Sequence, residues 1–293
     1  MAALNDVHCH FFSTPFFAAL GGDQALAKLG FEPPGTADAL ADRWVKELDR
    51  HGVARAALIA SLPGDAGSVA AAVQRHPGRF VGFFMVDPTA PGAVEQAAAA
   101  LDRGGVSALC LFPAMHRFAI HDERVQQLFA VAAARPGTAV FCHCGVLSVG
   151  VRKRLGLPSP FDLRFGNPLD LHALALRYPA VPILIPHFGA GMLREALMVA
   201  DQCPNVCLDT SSSNSWIQYH PGLSLVDVLR QALAVLGPDR LLFGSDSSYF
   251  PRGWVRDVHA QQSACCDELR VPGEVRAKLF GGNFDRLFPV TAR

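Results

Sequence analysis

The sequence predicts an α/β protein built as a (β/α)8 TIM barrel, with residues 1–293 forming a single domain. Two observations support this prediction. Short apolar runs alternate with longer amphipathic stretches, which is the pattern of parallel strands joined by crossover helices. Eight such pairs fit within 293 residues, which is the count of a (β/α)8 barrel. We find no low-complexity tract, internal repeat or linker that would divide the chain.

Each predicted strand is a run of four to seven residues, too short for a helix and rich in apolar side chains. The predicted strands are residues 4–8, 56–60, 80–86, 108–112, 139–143, 183–187, 206–209 and 241–244. The predicted helices are residues 37–51, 68–76, 92–103, 122–134, 168–178, 190–202, 225–236 and 271–280. A doubly wound sheet is the alternative, which is disfavoured because no Gly-x-Gly-x-x-Gly motif follows the first strand.

Two connections are longer than a barrel requires, residues 11–36 and residues 144–167. Both follow the carboxyl end of a predicted strand, which is the face where barrel enzymes build their sites. We therefore expect both connections to cover a substrate. The first contains Phe11-Phe12-Ser13-Thr14-Pro15-Phe16-Phe17, which is equally typical of an apolar pocket wall and of a helix packed on the barrel rim.

The composition excludes several classes of function. The chain balances 26 Lys and Arg residues against 26 Asp and Glu residues, so we expect no surface for nucleic acid or an anionic membrane. No apolar run approaches the length of a membrane span, and the first residues lack the pattern of a signal peptide. These features predict a cytoplasmic protein whose partner is a small-molecule substrate.

The eight cysteines favour a reduced protein over a disulfide framework. Most lie in apolar strand-like runs, where cysteine is usually a small buried hydrophobe. Cys142-His143-Cys144 could imitate a metal site, but it lacks the Cys-x-x-Cys pairs of a structural zinc site. An enzyme that uses the thiol of Cys142 or Cys144 is a further alternative.

Polar side chains recur where the predicted strands end. His8 and His10 end the first strand and, being two residues apart, share one face. His143, His187 and Asp246 end the fifth, sixth and eighth strands. Any one of them alone could be a buried core histidine or a capping aspartate. Together at the predicted catalytic face they indicate a metal site, with Zn²⁺ favoured and Mn²⁺, Fe²⁺ or Co²⁺ as alternatives.

These motifs, in this order, resemble the amidohydrolase superfamily and specifically its amidohydrolase-2 branch. That branch includes aminocarboxymuconate semialdehyde decarboxylase-like enzymes and several lactonases. The resemblance spans nearly the whole chain. It rests on His8-x-His10, His143, Pro186-His187-Phe188-Gly189-Ala190-Gly191, Leu241-Leu242-Phe243-Gly244-Ser245-Asp246 and the closing Gly281-Gly282-Asn283-Phe284-Asp285-Arg286-Leu287-Phe288.

The resemblance implies that His8, His10, His143 and Asp246 are ligands of one divalent metal ion. It implies that His187 polarises the substrate or relays a proton, and that Asp246 also handles protons, which makes these two the candidate catalytic residues. Two-metal members carry a carboxylated lysine after the fourth strand, and residues 108–113 contain no lysine, which favours a single ion. Some lactonases of this branch work without metal. Family habit suggests a homodimer, although the sequence itself does not fix the oligomeric state.

The same site supports two reactions. Metal-activated water can attack a lactone or amide carbonyl, or the ion can bind a hydroxylated acid that loses CO2 after protonation of a carbon. Hydrolysis is favoured because the chain is shorter than the decarboxylases usual in the family. A barrel that binds metal or ligand without catalysis is disfavoured because every expected ligand position is filled. His116, Arg152, Asn167 and Tyr249 are the candidate substrate contacts.

Overall fold

The computed structural model describes residues 3–211 and 214–290, and its strands form one eight-stranded parallel barrel. The strands are β1 (Leu4–Phe11), β2 (Val53–Ala60), β3 (Phe80–Val86), β4 (Ala108–Leu111), β5 (Ala139–Cys142), β6 (Ile183–Ile185), β7 (Val206–Asp209) and β8 (Leu241–Leu242). Each strand pairs with the next in chain order. The amide of Asp246 donates to the carbonyl of His8 at 2.9 Å and closes the ring. This order confirms the barrel and excludes the doubly wound sheet.

Helices connect the strands on the outside of the barrel. They are α1 (Thr14–Ala19), α2 (Gly22–Leu29), α3 (Ala37–Arg50), α4 (Ala66–Arg75), α5 (Ala93–Arg103), α6 (Pro113–His116), α7 (Glu123–Ala133), α8 (Gly150–Leu155), α9 (His172–Arg177), α10 (Leu193–Gln202), α11 (Leu225–Leu236), α12 (Arg256–Glu268), α13 (Gly273–Ala277) and α14 (Asn283–Leu287). Several begin at a capping side chain: Thr36 accepts from the amide of Ala39 before α3, and Ser224 and Asp227 form a capping box at α11. In the described part of the chain no helix is long and apolar enough to cross a membrane.

The strands alternate between two apolar layers, as a closed barrel requires. One set of buried side chains fills the barrel interior, for example Ile59, Phe83 and Phe141. The intervening residues, for example Leu58 and Phe84, pack outward beneath the helices. The strands of the barrel are thus buried on both faces, as in other parallel barrels.

A third apolar cluster lies apart from the barrel layers. Its buried members come from the long connections after β1 and β5, and they are Phe16, Phe17, Leu26, Leu29, Phe31 and Val151. We call these six residues the aromatic cover. Helix α8 is fastened to α2 because Lys28 Nζ donates to the carbonyl of Leu155 at 2.9 Å and Arg154 donates to the carbonyl of Leu29. The first long connection therefore forms helices on the rim and also lines the cavity with Phe12 and Phe16, so both predicted alternatives hold.

All eight cysteines are free and buried. The side chains of Cys142 and Cys144 belong to the outer layer, away from the barrel interior. A hydrogen bond to Cys144, together with burial, raises the pKa of the Cys142 thiol well above its usual value. These placements argue against a thiol nucleophile and against a zinc knuckle built on this pair.

Candidate metal site at the carboxyl end of the barrel

An irregularity in β1 aims two histidines at the barrel axis. The register of β1 against β2 shifts between Asp6 and Cys9. Val7, within the shifted segment, packs in the barrel interior, whereas Cys9 and Phe11 pack in the outer layer. The rings of His8 and His10 consequently lie at the barrel mouth, in line with the role of bulges in redirecting side chains beside active sites.

Three candidate ligand atoms converge there. His8 Nε2 lies 3.3 Å from His10 Nε2, and these atoms lie 3.6 Å and 3.2 Å from Asp246 Oδ1. A tetrahedral ion with bonds of about 2.0–2.1 Å needs donor atoms about 3.3–3.4 Å apart. The three spacings match that requirement, so these residues fit a metal ion. We call His8, His10 and Asp246 the donor trio.

Neighbouring groups determine which ring nitrogen of His8 and of His10 is free to bind a metal ion. His8 Nδ1 lies 2.6 Å from Asp209 Oδ2, which can only accept a proton when ionised, so Nδ1 carries the hydrogen. His10 Nδ1 lies 2.7 Å from Ser61 Oγ, whose own hydrogen is donated to the carbonyl of Ile59. His10 Nδ1 is therefore also a donor. Both Nε2 atoms then present lone pairs to the same point, as metal-binding histidines do.

The charges around the trio favour a cation. Burial opposes ionisation of Asp246, but its hydrogen bond with His10 and the neighbouring histidine charges hold the pKa of its carboxyl well below the usual range. Burial would lower the pKa of His8, yet the Asp209 carboxylate and further carboxylates outweigh it and raise that pKa. Burial lowers the pKa of His10 despite the Asp246 carboxylate. Two ring nitrogens and one ionised carboxylate thus meet in a partly buried site, where a bound cation would compensate the negative charge.

His143 lies beside the donor trio but is not part of it. Strand alternation places it on the interior side, two residues after Phe141. Its ring centroid is 5.2 Å from that of His187, and its Nδ1 is buried with no hydrogen-bond partner among the described residues. Burial, helped by the charges of His187 and His8, lowers its pKa well below the usual value, so the ring is neutral.

His187 follows β6 on a left-handed turn rather than on the strand. The prediction that the strand reaches residue 187 is wrong, since β6 ends at Ile185 and the φ angles of His187, Phe188 and Ala190 are 56°, 54° and 44°. Residues other than glycine rarely adopt this left-handed backbone conformation, and such strain concentrates at functional sites. Gly145 lets the turn approach β5, because a Cβ there would lie 2.2 Å from the carbonyl oxygen of Gly189.

The His187 ring is held by Ser211, whose Oγ lies 2.9 Å from His187 Nδ1. Burial lowers the pKa of His187, and the neighbouring charge of His8 acts in the same direction. The ring centroids of His187 and His8 are 5.0 Å apart. His187 is thus a neutral imidazole immediately beside the donor trio.

Asp6 joins the two strands that carry the trio. Its carboxylate accepts from the amide of His8 at 2.8 Å, the amide of Ser245 at 3.1 Å and the indole of Trp254 at 2.7 Å. Burial raises its pKa, although these hydrogen bonds oppose the shift. Asp6 therefore stabilises the arrangement of the β1 and β8 ends from beneath.

A cavity of about 870 Å³ opens above the trio, within the range of small-molecule sites. Of the four predicted substrate contacts, His116, Arg152 and Tyr249 line it. Asn167 is not among its lining residues, because its side chain accepts from the amide of Leu169 and caps the turn that follows. A substrate contact by Asn167 stays a prediction.

Sequence reasoning missed the residues that orient the histidines. Asp209 and Ser61 reach His8 and His10 from β7 and from the end of β2. One feature of the sequence pointed to Asp209: it is a charged residue that ends an apolar strand, two positions after the inward-facing Cys207. Ser61 carried none, since a serine after a strand is ordinary.

The family model described as amidohydrolase (Amidohydro_2) matches residues 6–290 of the chain. A search of curated proteins gave no match.

Several solved structures share the fold along their whole lengths. They include 5-carboxyvanillate decarboxylase LigW from Sphingomonas paucimobilis, with a TM-score of 0.64 and 17% identity over 99% of this chain and 100% of that one. A probable 2-pyrone-4,6-dicarboxylic acid hydrolase from Acinetobacter baumannii, with citric acid bound, has a TM-score of 0.62 and 15% identity over 98% and 99%. An amidohydrolase from Burkholderia multivorans with bound zinc has a TM-score of 0.64 and 18% identity over 99% and 100%. At these identities the similarity establishes the fold alone.

Proposed function

This chain belongs to the amidohydrolase-2 family, and we propose from that premise that it is a metal-dependent hydrolase with a single divalent ion, Zn²⁺ in the first instance. The proposed substrate is a small carboxylated or cyclic molecule such as a lactone or amide. The observation that carries the proposal is the donor trio, whose three spacings suit one tetrahedral ion. His143, on the interior side of β5, is proposed as the fourth ligand, as the family resemblance implies.

A bound divalent ion lowers the pKa of a coordinated water and polarises a substrate oxygen. The chain's own residues then have separate tasks. Asp246, held ionised, accepts a proton from the attacking water and returns it to the leaving group. The neutral ring of His187 donates a hydrogen bond to the substrate oxygen on which negative charge develops. Phe141, against which the His8 ring packs at 5.2 Å, keeps water from below the site.

Hydrolysis and decarboxylation would both pass a proton through the same residues. Loss of CO2 from a hydroxylated acid requires a residue that delivers a proton to carbon. Hydrolysis likewise requires a proton to be returned to the leaving group, so Asp246 and His187 suit either reaction, and hydrolysis is preferred because the chain is shorter than the decarboxylases usual in the family. Decarboxylation by the same residues is the alternative, and the product distinguishes the two reactions.

The cavity lining supports a substrate with both apolar and anionic parts. Phe12 and Phe16 stack at 4.1 Å on one wall, and Phe112 lines the floor beside His143. Arg252 stands at the mouth, 4.7 Å above the ring of Tyr249, where a guanidinium can pair with a carboxylate. A compact ring bearing a carboxyl group would satisfy both surfaces.

The first experiment is elemental analysis of the purified protein, followed by a screen of lactones, amides and hydroxylated aromatic acids. We expect about one metal ion per chain, activity that chelation removes, and acid release without CO2. Release of CO2 would replace hydrolysis by decarboxylation. Activity that persists in metal-free protein would contradict the proposed metal dependence.

Two variants separate the ligand from the proton-handling role. His187→Ala should keep its metal and lose most turnover, because its Nδ1 is hydrogen-bonded to Ser211 and His187 is not one of the three donor residues. Asp246→Ala should weaken both metal binding and turnover, since its Oδ1 is a trio atom. Loss of metal from His187→Ala would show that the assignment of these roles is wrong.

A further inference from the structure

One hydroxyl group lies between the metal-site histidine and the proposed hydrogen-bond donor. Ser211, fully buried after β7, places its Oγ 3.0 Å from His8 Nδ1 and 2.9 Å from His187 Nδ1. Its backbone amide donates to Asp209 Oδ1 at 2.6 Å. The hydroxyl therefore bridges the imidazole of His8 on β1 and that of His187 after β6.

The direction of each hydrogen bond follows from the hydrogens that are present. His8 Nδ1 carries a hydrogen for Asp209 Oδ2 at 2.6 Å, so it has no lone pair to offer Ser211. It can only share that hydrogen with the serine oxygen. Among the described residues, the acceptor left for the hydroxyl hydrogen of Ser211 is then His187 Nδ1.

We propose that Ser211 is a positioning residue that fixes His187 as the tautomer with Nδ1 bare and the hydrogen on Nε2. This inference rests on the proposed function, in which His187 donates a hydrogen bond to a substrate oxygen. The opposite tautomer would turn a lone pair towards that oxygen and repel it. Asp209 thereby sets the hydrogen positions of both rings, directly for His8 and through Ser211 for His187.

The surrounding backbone leaves this chain of contacts little freedom. A Cβ on Gly244 would lie 2.6 Å from Asp209 Oδ1 and 2.9 Å from the Cβ atoms of His8 and Ser211. On the other side, the left-handed turn at His187 restricts where its ring can point. The hydroxyl thus lies in a tightly packed site that favours one orientation.

The test reads the tautomer directly by ¹⁵N NMR of histidine-labelled protein loaded with zinc, a diamagnetic ion. The ¹⁵N shift distinguishes a bare ring nitrogen from a protonated one, and a His187→Gln spectrum identifies the resonances of this ring. We expect wild-type His187 to show a bare Nδ1 and a protonated Nε2. In Ser211→Ala the two tautomers of His187 should mix, while His8 keeps its hydrogen on Nδ1 and the metal content stays unchanged because Asp209 remains.

Kinetics with a substrate from the product screen provide the second measurement. Ser211→Ala should lower kcat about 10- to 100-fold, the usual cost of removing an outer-shell partner, with KM within about twofold of wild type. Ser211→Thr keeps the hydroxyl and should restore the wild-type tautomer. Ser263→Ala is the matched control, since Ser263 Oγ lies 3.5 Å from His259 Nε2 on α12, outside the site.

A Ser211→Ala spectrum with an unshifted His187 tautomer would overturn the proposal, and so would equal losses in Ser211→Ala and a folded Ser211→Thr. If Ser211→Ala does not fold, Ser211→Gly also removes the hydroxyl, and an unshifted His187 tautomer in it would overturn the proposal equally. The NMR result needs no substrate. An enzyme shown to be a decarboxylase, or to lack hydrolysis, would therefore refute the proposed function without deciding the tautomer.

Discussion

The donor trio and the aromatic cover both lie at the carboxyl end of the barrel, yet they are stabilised in different ways. His8 and His10 lie on β1 and Asp246 follows β8. Charged or hydroxyl side chains on β1, on β7 and just after β2 hydrogen-bond the trio or the strands that carry it. The cover rests on ring packing, such as Phe31 against Tyr249 at 3.7 Å, with a few side-chain contacts to backbone carbonyls. Directional bonds fix atoms, whereas apolar packing fixes only volume and shape.

This difference indicates that the two regions have separate roles. A displacement of one ångström at a reacting centre can cost about 100-fold in rate, so the trio needs several directional partners per side chain. The cover needs only to exclude water and present an apolar wall. Changes in the trio should therefore affect metal and turnover, and changes in the cover should affect substrate affinity.

The largest effect is expected for Gly244→Ala. The added Cβ would push apart Asp209, His8 and Ser211, so we expect a loss of more than about 100-fold in activity together with a lower metal content and Tm. Metal analysis and thermal unfolding measure the change. Gly67→Ala on α4, where a Cβ meets nothing within 4 Å, should keep both values or raise Tm slightly. If the two variants had equal activity, metal content and Tm, the close packing around Gly244 would not be required for the site.

Asp209→Asn should have the next largest effect. The amide retains the shape of the side chain but removes the charge that orients His8, which should weaken metal affinity about 10- to 100-fold. Titration of metal-free protein with Zn²⁺ in the presence of a competing chelator measures it. The same substitution at Asp239, an exposed partner of Lys278, should leave the affinity unchanged. An unaltered metal affinity in Asp209→Asn would show that Asp209 does not contribute to metal binding.

In the cover, Phe31→Ala should raise KM about 2- to 10-fold, the worth of one aromatic contact, and leave the metal content unchanged. Steady-state kinetics measures KM, and hydrogen exchange should speed up in α1 and α2. Phe83→Ala, inside the barrel, should instead lower Tm strongly, because a buried Phe→Ala change costs about 3–5 kcal/mol. If Phe31→Ala released the metal, the two regions would not be separable.

The smallest effect is expected for Arg154→Ala. Its guanidinium lies over the ring of Phe31 at 5.1 Å on an exposed face, an interaction worth about 0.5–1 kcal/mol. We expect a change of less than about threefold in KM and no change in kcat. A large fall in kcat would instead place Arg154 among the residues that contact the reacting group.

The barrel could be predicted from the sequence because its strands are buried on both faces and therefore consist of unbroken apolar runs. β3 and β7 have the predicted bounds, Phe80–Val86 and Val206–Asp209. The cover helices were harder to predict. α1 and α8 have six residues each, fewer than two turns. An apolar repeat over so few residues does not indicate a helix. Packing between α2 and α8 stabilises them instead.

In the candidate site, the residues that could be predicted are those at strand ends. His8, His10 and Asp246 come together as the spacing and strand order suggested, with His143 and His187 beside them. Their partners could not be predicted, because a hydrogen bond between β1 and β7 depends on side-chain positions across the barrel. The left-handed turn at His187 was also missed, since only the glycines at 189 and 191 indicate a turn there.

The separation of the cover from the trio also has an evolutionary consequence. No cover residue supplies a donor atom to the trio, and the cover lies on two long connections outside the strands. A duplicated gene could therefore acquire a new substrate by substitutions and insertions in those connections while inheriting the metal chemistry intact. Natural variants of this chain should accordingly diverge fastest in residues 11–36 and 144–167.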